Sequence, residues 1–249
     1  MIDQSSLRER YEQEGASVVR YGNQSSWDDR YHQRRFRAIC ATLEGLLGPD
    51  SSFTDVGCGT GEYVEWATTH TNGRVLGCDL AEEYCQRTRM IAPGADIRQA
   101  DASDLPWDDR SVDVVMCSEV IEHIPTQDQS SVIQELARVT ARHLVVTTPN
   151  SRSFVRRLGL LVSKEGVRKL DEEVGHISLL TENELRGMCS LPGFVVRAVR
   201  MQHTVPPVIG EKLHLPRATM KIATGFEAAA DRLFPRGANQ MILVASRLS

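Results

Sequence analysis

The chain contains no C-x-x-C pair, no apolar core in its first ten residues, no apolar run long enough to span a bilayer and no recognisable RNA-binding module. Its six cysteines, Cys40, Cys58, Cys78, Cys85, Cys117 and Cys189, fall singly, several within apolar strand or helix patterns. That excludes a close-spaced cysteine pair for metal or redox work and predicts reduced core thiols. Without an apolar leader or a membrane-length run, a cytoplasmic protein is expected. The formal net charge of −4 is not that of a polyanion binder, so nucleic acid is disfavoured as a partner. Trp-Asp-Asp-Arg occurs at 27–30 and 107–110, but the flanks do not match and no internal repeat follows. Ordinary apolar and charged fractions over 249 residues predict a single folded domain, 1–249, with a sizeable core.

The most informative stretch is Phe53-Thr-Asp-Val-Gly-Cys-Gly-Thr-Gly-Glu-Tyr63, where an apolar strand breaks into three alternate glycines before a helical pattern. Gly57, Gly59 and Gly61 let the backbone turn through unusual angles and let a ligand approach the main chain. Their G-x-G-x-G spacing differs from the G-x-G-x-x-G dinucleotide fingerprint, which argues against NAD. Arg74 to Asp79 is a second short strand ending in a carboxylate, at the offset where such folds bind ribose hydroxyls. Ile97 to Asp101 reads as a third strand whose terminal acid can meet an adenine amino group.

With these motifs in this order, followed by an Ala-Asp-Ala-x-x-Leu-Pro stretch, the region from Phe53 to Phe194 resembles the class I S-adenosylmethionine-dependent methyltransferases. The resemblance implies S-adenosyl-L-methionine as cofactor, held by Asp55, Gly57, Cys58, Gly59, Gly61, Asp79, Leu80, Asp101, Ala102 and Ser118. It also implies a last strand inserted antiparallel.

Alternating strand and helix patterns predict an α/β fold, a doubly wound Rossmann-like sheet with helices on both faces. Helices are expected over Phe36–Leu47, Glu62–Thr69, Ala81–Ile91, Gln129–Thr140, from a Thr181-x-x-Glu184 capping box onward, and over Met220–Phe234. Strands beyond the first three are expected at Val112–Cys117, His143–Thr148, Phe194–Val199 and Gln240–Ala245, seven in all. Within the single domain, 1–35 is expected to form an N-terminal lid or helix, 36–150 the cofactor-binding core and 151–175 a basic amphipathic insertion. Residues 176–249 form the C-terminal half of the sheet, with 201–217 as a lid loop. Trp27 is expected to pack on the core.

Ser118-Glu-Val-Ile-Glu-His-Ile-Pro125 follows the fourth strand, at the carboxyl edge where ligands of such sheets bind. Glu119 and Glu122 can serve loop amides while His123 packs beside the cofactor, and many small-molecule methyltransferases carry a similar E-V-x-E-H segment. The chain can also return His176 to this rim. Glu119, Glu122, His123 and His176 would then suit Mg²⁺ or Mn²⁺, a set that looks like the metal site of the small-RNA 3′-terminal 2′-O-methyltransferases. Without metal, His123 or His176 can act as general base, with Glu119 beside them.

The segment 151–170 combines Phe154, Leu158, Leu161 and Val162 with Arg156, Arg157, Lys164, Arg168 and Lys169. A solvated face, a substrate cap and an interfacial helix on anionic lipid all fit that composition. The resulting expectation is methyl transfer to a small-molecule acceptor at oxygen. Its rivals are a lipid or quinone O-methyltransferase at the membrane surface, like the ubiquinone-pathway enzymes this chain resembles, a metal-dependent RNA 2′-O-methyltransferase, and a cofactor-binding protein without catalysis.

Overall fold

The computed structural model describes residues 27–202 and 219–248. Strands Phe53–Val56 (β1), Val75–Asp79 (β2), Asp96–Gln99 (β3), Val112–Ser118 (β4) and Thr140–Pro149 (β5) run parallel. Phe194–Gln202 (β6) and Gln240–Arg247 (β7) complete a seven-stranded sheet of order β3-β2-β1-β4-β5-β7-β6. β7 is antiparallel to both β5 and β6. The helices are Trp27–Leu43 (α1), Glu62–Thr68 (α2), Glu82–Ile91 (α3), Thr126–Val139 (α4), Phe154–Val162 (α5), Lys164–Val174 (α6), Glu182–Cys189 (α7) and Thr219–Leu233 (α8).

β1 is buried along its whole length, as a central parallel strand covered on both faces must be. In β4, Val114 and Met116 point to one face, where Ile39, Leu43, Val64, Ala67 and Cys85 bring α1, α2 and α3 onto the sheet. Val115 and Cys117 point to the other, where Val132, Ile133 and Leu136 of α4 pack with Leu185 and Cys189 of α7. The two-residue period of the strand thus feeds two separate cores. All six cysteines are buried and free, and burial pushes the thiols of Cys58, Cys78 and Cys117 well up, so they act as small apolar side chains.

The capping box forms: Thr181 Oγ1 accepts from the Glu184 amide at 3.3 Å and Glu184 Oε2 from the Thr181 amide at 2.7 Å. Several boundaries differ from the pattern in the sequence. α1 runs from Trp27 to Leu43, because a last irregular turn (Leu47 N to Leu43 O, 2.9 Å) follows the regular hydrogen bonding. The basic insertion is two helices broken at Ser163, whose hydroxyl accepts from the Gly166 amide and caps the second. Met201 and Gln202 belong to β6, while the rest of the expected lid loop, and residues 1–26 of the expected N-terminal lid or helix, lie outside the described residues. No helix among the described residues is long and apolar enough to cross a membrane.

Candidate active site

The strand order makes β1 and β4 neighbours whose chains depart in opposite directions, β1 toward β2 and β4 toward β5. Their carboxyl ends therefore open a crevice, the usual ligand position of a doubly wound sheet. The glycine loop lines one wall of it. Gly57, Gly59 and Gly61 all take left-handed backbone angles, with φ of 77°, 48° and 80°. A Cβ at Gly57 would stand 2.3 Å from Val120 Cγ2, and one at Gly61 would stand 2.7 Å from Thr88 Oγ1. At Gly59 it would meet nothing within 4 Å. Two of the glycines are thus required by packing, whereas Gly59 turns its bare Cα to open space.

Beneath the loop, Asp55 is 1% exposed and its Oδ1 has no hydrogen-bond partner among the described residues. Burial, with Asp79 nearby, holds its carboxyl well above the usual range. A buried acceptor left unanswered is costly, and it suits a ligand donor. Asp79 ends β2 and accepts from the Gly59 amide at 2.9 Å and the Ala81 amide at 3.0 Å, so it ties the loop to the second strand. Burial raises its pKa, opposed by the amides of Ala81, Gly59 and Leu80. Cys58 Sγ lies 3.7 Å from Thr88 Oγ1. Asp101 sits two residues past β3 in a turn, where its Oδ1 accepts from Ser103 N and Oγ at 2.8 and 2.7 Å, and Ala102 packs against the core.

The opposite wall is the segment after β4. Ser118 Oγ is 2.9 Å from Thr147 Oγ1. Glu119 has a left-handed φ of 57°, which turns its side chain away from the strand direction. Its Oε1 accepts from Thr147 at 2.8 Å and Gln240 at 2.5 Å, and its Oε2 from Arg35 at 3.1 Å. Arg35 lies 5.9 Å from the centre of the Tyr31 ring, and Phe36 stacks on Tyr63 at 5.2 Å. α1 therefore covers the loop side of the crevice. Burial pushes the Tyr31 phenol up to about 12, against the pull of Arg35.

Glu122 is fully buried, with Oε2 accepting from Thr148 at 3.0 Å and Oε1 without a partner among the described residues. Burial first, then Glu119, holds its carboxyl well above the usual range. His123 Nδ1 is 2.9 Å from the Gly175 carbonyl. A carbonyl only accepts, so Nδ1 carries the proton and the lone pair of the neutral ring is on Nε2. The rings of His123 and His176 are 5.3 Å apart. Burial, and then His123, push the His176 pKa down to about 4. Glu122, His123 and His176 each bring one ligand atom within 4.8 Å of the others. Three of the four residues expected from the sequence thus converge, and Glu119 is engaged elsewhere. Arg35, Gln240 and the Gly175 carbonyl shape this rim without any motif to mark them.

Residues 54–143 match the family described as "Methyltransferase domain". A probable S-adenosylmethionine-dependent methyltransferase of Mycolicibacterium smegmatis is 36% identical over 130 residues, covering 51% of this chain and 49% of that protein. The 27-O-demethylrifamycin SV methyltransferase of Amycolatopsis mediterranei is 36% identical over 132 residues, 45% of this chain and 48% of that one. The chain spans about half the length of these relatives. Among solved structures, the magnesium protoporphyrin IX methyltransferase of Synechocystis PCC 6803 with bound SAH superposes with a TM-score of 0.69 at 21% identity, over 98% of this chain and all of that one. A putative methyltransferase from Haloferax volcanii, in complex with the Trm112 activator, gives 0.68 at 17%, over 98% of each chain.

Proposed function

Since the chain carries a class I S-adenosylmethionine-dependent methyltransferase domain, we propose that it moves the methyl group of that cofactor to an oxygen of a small-molecule acceptor. When bound, the cofactor supplies a methyl group already activated on a sulfonium. The residues present suit it. Gly59 leaves room for close main-chain approach, Asp55 offers an unanswered acceptor, and Asp79 keeps lone pairs for ribose hydroxyls beyond the two that its amide partners use. Asp101, in the turn after the neighbouring strand, is assigned to the adenine. In this reading residues 36–150 hold the cofactor.

The protein's chemical work is alignment, water exclusion and proton removal. The observation that carries the oxygen assignment is the pinning of His123 by Gly175, which aims a basic nitrogen away from the anchored edge of the ring. A hydroxyl acceptor must lose its proton, and such a base contributes about 10²–10⁴ in rate. His176, depressed to about 4, stays neutral at physiological pH and adds no repelling charge beside it.

A second reading is favoured by the convergence of Glu122, His123 and His176 and by the unpartnered Glu122 oxygen. These three would hold Mg²⁺ or Mn²⁺, which would acidify the acceptor hydroxyl directly. The test incubates the protein with methyl-labelled cofactor and a panel of phenols, catechols and aliphatic alcohols, followed by mass spectrometry with and without chelator. A general base predicts turnover that ignores chelator and collapses in His123→Ala. A metal predicts loss with chelator and recovery with Mn²⁺. Labelled amines or carbon acids with no labelled hydroxyl compound would refute the oxygen assignment.

A further inference from the structure

α8 is turned inside out. At the helical period, Ile222, Phe226 and Leu233 share one stripe, and Glu227 and Asp231 lie on the other side. The carboxylates face the protein. Glu227, nearly fully buried, accepts from both terminal guanidinium nitrogens of Arg30, Nη1 and Nη2, and lies 3.4 Å from Arg34 Nε. Arg34 Nη2 also meets Asp231 Oδ2 at 2.5 Å. The apolar side chains face outward, with Ile222, Phe226, Leu233 and the following Phe234 each 69% to 74% exposed. A helix on the surface of a globular body ordinarily has the reverse orientation. Rolling the stripe inward would strip the buried Glu227 carboxylate of its arginines, a strongly destabilising change, so the ion pairs hold the apolar side out.

α5 exposes a second apolar surface. No residue of α5 is buried, and Phe154, Leu158, Leu161 and Val162 are exposed. Arg156 Nη1 and Nη2 bond Asp171 of α6 at 2.7 Å each, so the two helices hold to one another. The exits of both surfaces are knotted together. Asn150, which leads from β5 to α5, donates from Nδ2 to the Ala238 carbonyl and from its amide to the Asn239 carbonyl, both at 2.9 Å, where α8 has given way to β7. The knot adjoins the rim, since Thr148 bonds Glu122 and Gly175 at the end of α6 holds His123.

The charge around these apolar surfaces is complementary to anions. Both acids of α8 are consumed by Arg30 and Arg34, and Arg232 and Arg236 are exposed without an ion pair among the described residues. On the hairpin, Arg156 and Arg168 are taken by Asp171, Glu165 and Glu172, whereas Arg157, Lys164 and Lys169 are exposed and have no such partner among the described residues. Apolar stripes flanked by uncompensated bases fit the interface of an anionic bilayer, where the side chains enter the acyl boundary and the bases meet headgroups.

We infer that the protein docks on an anionic lipid surface through Ile222, Phe226, Leu233 and Phe234, with α5 as a second foot. Docking stands apart from the methyl-transfer reading; only its corollary, that the acceptor is an amphiphile reached from the bilayer, rests on that reading. The experiment floats the full chain with vesicles of phosphatidylcholine alone or mixed with phosphatidylglycerol. Vesicles carry no acceptor, so the outcome is independent of catalysis. The protein should bind the mixed vesicles at low salt and bind at least tenfold more weakly without phosphatidylglycerol or at high salt. Phe226→Asp and the pair Arg232→Glu, Arg236→Glu should each lose at least tenfold, with calorimetric binding of S-adenosylhomocysteine unchanged as the measure of an intact fold. If Phe226→Asp does not fold, the exposed arginine pair decides. No flotation on mixed vesicles, or flotation indifferent to these changes, overturns the inference. So does a dimer in sedimentation that Phe226→Asp splits, since a second copy would then cover the stripe.

Discussion

Replacing Gly57 and Gly59 by alanine should produce opposite kinds of damage, although the two are separated by one residue. At Gly57 the new methyl would stand 2.3 Å from Val120 Cγ2, on a backbone with φ of 77°. The left-handed angle costs roughly 1–2 kcal/mol for a residue with a Cβ. The overlap adds about 1–3 kcal/mol, because Val120 sits on the rim segment and must move. For a chain of this size about 2–4 °C of melting temperature accompanies each kcal/mol. Gly57→Ala should therefore melt on the order of 10 °C lower. Gly59→Ala carries the backbone cost alone, since its methyl meets nothing within 4 Å. It should lose only a few degrees but place a methyl where the cofactor is proposed to lie, so its affinity for S-adenosylhomocysteine should fall at least tenfold. A double-mutant cycle isolates the overlap: Val120→Ala in the Gly57→Ala background should recover about 1–3 kcal/mol and leave the backbone cost in place. Thermal unfolding and calorimetric titration read both quantities. Equal melting temperatures for the two single variants, or no recovery on removing the Val120 methyls, would refute the assignment of Gly57 to packing and Gly59 to the ligand.

Asp79→Ala should lower cofactor affinity at least tenfold, from charged hydrogen bonds of about 1.5–3 kcal/mol, and should also lower the melting temperature because the Gly59 and Ala81 amides lose their acceptor; unchanged titration by a folded variant removes the ribose assignment. His176 should show a midpoint near 4 in an NMR titration, and a signal that titrates near the ordinary imidazole value would contradict its burial. Because its folded pKa lies below its unfolded one, its contribution to stability is complete above the ordinary imidazole value and is lost as pH falls toward 4; the melting temperature of the native chain should therefore fall relative to His176→Gln across that window. Glu122 has the opposite sign, since its carboxyl is held above the usual range: the native chain is at its best below the ordinary glutamate value and loses ground as pH rises through the folded pKa. Glu122→Gln, which keeps an acceptor for Thr148, should gain relative stability with rising pH when chelator is present, and parallel melting curves against pH would rule this out.

Much of the fold is legible because it is written in short-range patterns. The alternate glycines after an apolar strand, the acid ending Arg74–Asp79 and the Thr181–Glu184 box each report on a local backbone requirement, and each stands where its spacing predicts. Boundaries were less legible where tertiary hydrogen bonds arbitrate. β6 continues through Gln202 because β7 offers partners that far, and Ser163 divides the basic insertion although the apolar period runs on either side of it.

The rim shows the division most clearly. Residue type and position after β4 single out Glu119, Glu122 and His123, but three residues of sequence do not separate the two carboxylates. Their fates are set by partners 84 and 121 positions away in one case, Arg35 and Gln240, and by burial beside Thr148 in the other. In the same way, an amphipathic period in 219–233 identifies a helix with an apolar stripe and says nothing of which side meets the body. That choice belongs to Arg30 and Arg34, nearly 200 residues earlier in the chain. Local chemistry therefore determined the glycine loop and the strand order's raw material, because glycine freedom and side-chain period act within a few residues. Which acid is spent on structure, which is left facing the crevice, and which side of α8 looks outward were decided by the tertiary structure, because electrostatic partners are chosen through space.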